Sequence, residues 1–220
     1  MTASPVPAGQ EIDAWLAHVR QWRGTPPDDG PPTILLGGPM RCGKSTVAGL
    51  LAARSGMVVL PTDVINRRFG RGKLPPGRER AVLGRVLRHV LHSHPRGLIL
   101  EGAMLFERAA LVLPTARKLA LPIHAIGYAV GTVAQKLAHI EAHRATGTCW
   151  TLEAGLDREA LRLRAHVIRA ESRVLRAMAR LRGYQYHELD SARFEIEAER
   201  VADQIAAALS EAELDQPRRL

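Results

Sequence analysis

Between residues 33 and 55 the chain leaves itself few conformational options. Gly38-Pro39-Met40-Arg41-Cys42-Gly43-Lys44-Ser45 reads G-x-x-x-x-G-K-S, after the apolar run Thr33 to Leu36 and before Val47 to Arg54, whose apolar residues have helical spacing. The order is strand, glycine turn, helix start. Glycines let the backbone curl so that successive N–H groups converge on a phosphate, and the helix N-terminus adds partial positive charge at the same point. Lys44 is then placed to reach the β- and γ-phosphates and the Ser45 hydroxyl to ligate Mg²⁺, with Thr46 following in the first helical turn. At this composition and length, roughly 0.002 accidental matches are expected.

The rest of the chain alternates strands and helices. Glu11 to Arg23 carries Ile12, Trp15, Leu16, Val19 and Trp22 near one face, which predicts an amphipathic helix, and Thr25 to Pro32 reads as a linker. Apolar runs at 33–36, 57–60, 97–100, 121–128 and 184–189 predict five strands. Helices are predicted at 44–55, from Thr62 or Asp63 as cap to Phe69, at 78–94, as a short piece at 105–111, from a Thr132/Gln135 capping box to Arg144, at 157–182, and around Ile196 to Leu209. This alternation predicts an α/β fold, a three-layer α/β/α sandwich around a parallel sheet. The layout divides into an N-terminal helix and linker (1–32), a central domain (33–210) with an irregular lid at 131–156, and a tail (211–220).

In such sheets ligands lie outside the carboxyl ends of the strands. The acids in that position are Asp63, after the second strand, and Glu101, after the third. Asp63 suits a general base or a helix cap. Glu101 ends a buried strand, where a carboxylate is costly unless a cation or a donor meets it. Arg67 stands one helical turn beyond Asp63 and Arg68 beside it, so either could clamp an anionic acceptor. Lys73, Arg78 and Arg80 are further basic candidates. His139 and His143 are four apart, but Ile140 follows the first histidine where the zinc-protease pattern requires Glu.

The formal net charge is +9, and 27 of the 31 basic residues are Arg, which favours an anionic substrate. The two cysteines, Cys42 and Cys149, lie far apart, with no C-x-x-C spacing. The first residues show no basic segment leading into an apolar one, and no apolar run is long enough for a bilayer. The sequence therefore reads as a soluble, cytoplasmic protein with no membrane partner.

The loop Gly38 to Ser45, Asp63 and Glu101 after their strands, a late helical lid and a terminal strand and helix resemble the P-loop small-molecule kinases. The zeta-toxin, chloramphenicol phosphotransferase and shikimate or gluconate kinase types come nearest. The resemblance implies a five-stranded sheet in order 2-3-1-4-5, ATP and Mg²⁺ as cofactors, and phosphorylation of a hydroxyl or phosphate on a small-molecule acceptor. It makes Asp63 the base or a residue near the metal. It places Glu101 at the position of the acid that usually, as Asp, helps hold the metal. Arg144 becomes the lid residue that stabilises the transferring phosphoryl, with Lys136 second. A nucleotide switch fits less well, because N-K-x-D, D-x-x-G and S-G-G-Q are all missing. An enzyme or binder acting on nucleic acid, motivated by the charge, is opposed by the scarcity of aromatic residues for base stacking.

Overall fold

The computed structural model describes residues 9–27, 29–69, 76–103, 109–145 and 155–214. Five strands, β1 (Ile34–Gly37), β2 (Val58–Pro61), β3 (Leu98–Gly102), β4 (Ile123–Gly127) and β5 (Gln185–Glu188), form one sheet in the order β2-β3-β1-β4-β5. Every pairing is parallel. Eight α-helices lie among the described residues. They are α1 (Gly9–Arg23), α2 (Lys44–Ser55), α3 (Thr62–Phe69), α4 (Pro76–Ser93), α5 (Ala109–Lys118), α6 (Val133–Ala145), α7 (Arg158–Arg182) and α8 (Phe194–Leu214). The expected sandwich and strand order are both present.

The layers follow from strand alternation, since successive side chains point to opposite faces. Leu35, Leu98 and Leu100 join a core with α1, α3, α4 and α5. Ile34, Leu36, Ile99 and Ile126 pack on the other face against α2 and α8. Both faces are covered, so β1 and β3 are buried along their whole length. Full burial of each of these leucines and isoleucines contributes about 1.5–3 kcal/mol relative to exposure. Ile12, Trp15 and Leu16 bury α1 in the first core, where Trp15 meets Phe69 edge-on at 5.2 Å.

Local signals set several helix ends. The Thr132 N–H donates to Gln135 Oε1 at 2.9 Å and the Gln135 N–H to Thr132 Oγ1 at 3.2 Å, a reciprocal capping box that starts α6. Asp157 caps α7 by accepting from the Ala160 N–H at 2.8 Å, and Gly183 closes it through a bond to the Ala179 carbonyl.

Two expectations need correction. The helix expected at 105–111 is instead α5, from Ala109 to Lys118 with Pro114 inside it; residues 104–108 lie outside the described part. Pro114 falls only five residues from the start, and burial of Val112, Leu113 and Ala116 outweighs its missing donor. At the start of α3, Thr62 does not cap with its side chain. Its hydroxyl is fully buried, with no hydrogen-bond partner, and packs so closely on Gly102 that any Cβ there would overlap it.

Candidate phosphate-binding site

The glycine loop joins the carboxyl end of β1 to the first turn of α2. Gly38 has φ +154°, and a Cβ on it would overlap the Ile126 carbonyl oxygen and crowd the Cys42 sulfur at 2.8 Å. Gly43 has φ +98°, and a Cβ there would meet Phe194 at 2.6 Å and Leu189 at 2.7 Å. Both glycines are thus required by conformation and by space. Between them Arg41 also takes a left-handed conformation, φ +62°. The loop is wound, its Cys42 side chain pointing inward with 1% exposure and Met40 outward. Burial pushes the Cys42 thiol up, against the opposing charges of Lys44 and Lys136.

Lys44 is buried, and its Nζ donates to the Pro39 carbonyl at 2.8 Å, so the ammonium lies across the inside of the loop. It stands 3.9 Å from Glu101 Oε1. Glu101 arrives there through strand register: it pairs with Leu36 of β1 and Pro61 of β2, and shares with Ile99 the face that α2 covers. Burial raises the Glu101 carboxyl above its ordinary value. Lys44 and a hydrogen bond from Ser45 oppose the rise, while the negative charge of Asp63 adds to it. The carboxylate between the strands, the lysine and serine of α2, and the aspartate of α3 therefore form one electrostatic cluster. Thr46 lies exposed in the same first turn of α2.

Asp63 is exposed in the first turn of α3, and Arg67 falls one turn later on the same face. Arg68 turns toward α1, 4.0 Å from Glu11 and over the Phe69 ring. Arg80 is exposed on α4. Arg144 is in the last turn of α6; its side chain, like that of Arg78, lies outside the described part, as does Lys73 altogether. Lys136 is buried. Its Nζ lies 5.3 Å from the centre of the Tyr128 ring and 3.4 Å from His139 Nδ1. His139 in turn packs on Phe194 at 4.4 Å, behind Gly43, where burial and then Lys136 lower its pKa to about 4.

Two polar groups beside this cluster have no motif to announce them. Thr62 Oγ1 and Asn66 Oδ1, one turn apart on α3, are buried without hydrogen-bond partners. An unmet buried acceptor is costly to the folded state.

A wound glycine loop at the head of a helix, on a parallel sheet of order 2-3-1-4-5, is the P-loop NTPase fold. A solved structure with a TM-score of 0.50 shares this fold, and others are similar to the chain at lower scores. A shikimate kinase from Bacteroides thetaiotaomicron superposes with a TM-score of 0.50 at 14% identity, over 79% of this chain and 98% of its own. A shikimate kinase from Acinetobacter baumannii in complex with shikimate gives 0.45 at 19%, over 84% and 96%. A gluconokinase from Sinorhizobium meliloti gives 0.45 at 17%, over 83% and 97%. No family model and no curated protein matches the chain.

The residues present fit a magnesium–nucleotide group. The donor set is oxygen, from Ser45, Glu101 and Asp63, and Gly38 and Gly43 keep the loop free of side chains that would fill its cradle. Among the described residues no group of three or more His, Cys, Asp or Glu could hold a metal. Mg²⁺ is commonly bound through one or two carboxylates plus substrate phosphates. No helix of the described residues is long and apolar enough to cross a membrane.

Proposed function

We propose that the protein transfers the γ-phosphoryl of ATP·Mg to a hydroxyl or phosphate of a small anionic metabolite. The observation that carries this reading is the convergence of Lys44, Ser45, Glu101 and Asp63 at the mouth of the glycine loop. Bound ATP·Mg would supply the phosphoryl group and neutralise its charge. The loop amides of residues 39–46 hold the terminal phosphates, and Lys44 exchanges the Pro39 carbonyl for phosphate oxygens. Ser45 and Glu101 would hold the metal, Glu101 through its hydrogen bond with the serine. Asp63 takes the proton of the acceptor hydroxyl as that oxygen bonds to phosphorus and the bond to the β-phosphate oxygen breaks. Arg67, on the same helical face, clamps the acceptor's anion, with Arg68 beside it. Arg144 supplies positive charge from the lid.

The layout supports a division into an N-terminal helix and linker (1–32), a kinase domain (33–210) with its lid at 131–156, and a tail (211–220). The test follows ADP release with hydroxylated carboxylates, sugar acids, sugar phosphates and a 5′-hydroxyl oligonucleotide as acceptors. One small anionic acceptor should turn over, and Asp63→Asn should cut its rate 10²-fold or more while keeping nucleotide affinity. Turnover of the oligonucleotide alone, or an unchanged rate in Asp63→Asn, contradicts the assignment.

A further inference from the structure

The longest helix among the described residues carries a second apolar line that no other described element covers. Leu161, Ala165, Ile168, Ser172, Leu175 and Ala179 of α7 are buried against the domain. On the opposite side Leu163, Val167, Ala170, Val174, Ala177 and Leu181 repeat the same four-three spacing. Their exposure is high: 64% for Leu163, 42% for Val167, 61% for Val174 and 86% for Leu181. Seven large hydrophobic residues are exposed among the described residues, and four of them lie on this one line. Alternating steps of four and three, with two apolar positions in seven, make the narrow seam of a coiled coil rather than the wider stripe of a core-facing helix. From 163 to 181 it runs about 27 Å at 1.5 Å per residue.

The residues beside the seam define what fits it. Along one flank, between the seam and the domain, runs the row Arg162, His166, Arg169, Arg173, Arg176 and Arg180. This row is anchored: Arg173 Nε donates to the Ala129 carbonyl at 3.3 Å and Arg176 lies over the Tyr186 ring. The other flank offers Arg164, Glu171 and Met178. A second copy packed antiparallel would set Arg173 and Arg180 against the same row of its twin. Packed parallel, it would oppose that row with a flank holding one acid and one base. Like charges in these positions are unfavourable, and they set partner choice. The seam also lacks the Trp and Phe that interfacial helices use to enter a bilayer.

We propose that this face of α7 docks an acidic amphipathic helix of a partner protein, with apolar residues at coiled-coil spacing and Asp or Glu on the flank that meets the arginine row. The site is remote in kind from the phosphate loop and does not depend on the reading of that loop.

The test uses the full chain and two synthetic four-heptad peptides with Leu and Val in the seam, one flanked by Glu and one by Lys. Fluorescence anisotropy should show the Glu peptide binding at least tenfold tighter than the Lys peptide, with an affinity that falls as salt rises. Val174→Glu should weaken it at least tenfold with an unchanged thermal midpoint, and Leu163→Gln should weaken it too if Val174→Glu perturbs folding. Equal binding of the two peptides, or none, overturns the proposal. So does sedimentation showing a dimer that Val174→Glu dissociates, which gives the seam to a second copy. Binding to phosphatidylglycerol vesicles that is lost in Val174→Glu gives it to a bilayer.

Discussion

His124 of β4 and His187 of β5 sit on the face covered by α2 and α8, with Nδ1 and Nε2 3.1 Å apart and their rings stacked. A bond between two imidazoles needs one N–H and one lone pair, so it cannot form once both rings are charged. His124 is 1% exposed and its Nε2 has no partner, so protonating this ring would also bury an unmet donor. Burial accordingly lowers His124 to about 3 and His187 to about 4, from 6.5. Both folded-state values lie below the unfolded one, so the unfolded chain binds these protons first. The stability is fully present above pH 6.5 and is lost as pH falls toward the folded values. One histidine loses about 1.4 kcal/mol per pH unit in that window, hence about 2 kcal/mol at pH 5 for His124 and somewhat less for the more solvated His187. The assay is urea unfolding at pH 7.5 and pH 5, for the wild type and His124→Leu. The variant should lose about 2 kcal/mol less between the two pH values, because its unfolded state has one fewer proton to bind. Equal losses in the two proteins would refute a neutral buried pair.

Three further outcomes follow from contacts at the loop. Gly38→Ala should fold but weaken ATP binding at least tenfold by titration calorimetry, since its Cβ displaces the loop from Ile126; unchanged affinity would mean that the cradle is not the binding surface. Cys42, buried and with its thiol raised, should resist iodoacetamide at pH 8 in the folded protein and react on unfolding, as read by peptide mapping. Rapid labelling of the native protein would place the loop in a different conformation. Gly102→Ala should destabilise the protein by about 1–3 kcal/mol in urea melts through the clash with Thr62; a neutral result would show that α3 moves freely.

Much of the fold is written in local chemistry. The glycine loop, the Thr132–Gln135 box, the Asp157 cap and the Gly183 stop each act within a few residues, and the loop and the box sit where the sequence pattern places them. Asp63 and Glu101 were legible as acids after strands because a parallel sheet directs its ligands to that edge. What was not legible depends on contacts far apart in sequence. Helix α5 passes through Pro114 because its flanking residues are buried by α4 and the sheet. Thr62 reads as a cap until Gly102, forty residues on, is found against its hydroxyl. Lys136 reads as a lid cation, and only packing reveals that it is buried beside Tyr128. The exposed spacing on α7 was present in the sequence, but which of its two apolar lines faces the sheet is decided only by packing.

The central claim is that the wound loop and Lys44 grip a nucleotide's terminal phosphates. Its most direct test is calorimetric titration of ATP·Mg into the wild type and Lys44→Ala, with AMP as a control lacking those phosphates. The account predicts saturable ATP binding in the wild type, negligible AMP binding, and affinity at least tenfold weaker in Lys44→Ala, the size expected for losing a charge-assisted hydrogen bond. Equal affinity of wild type and variant for ATP, or equal affinity of the wild type for ATP and AMP, would contradict it.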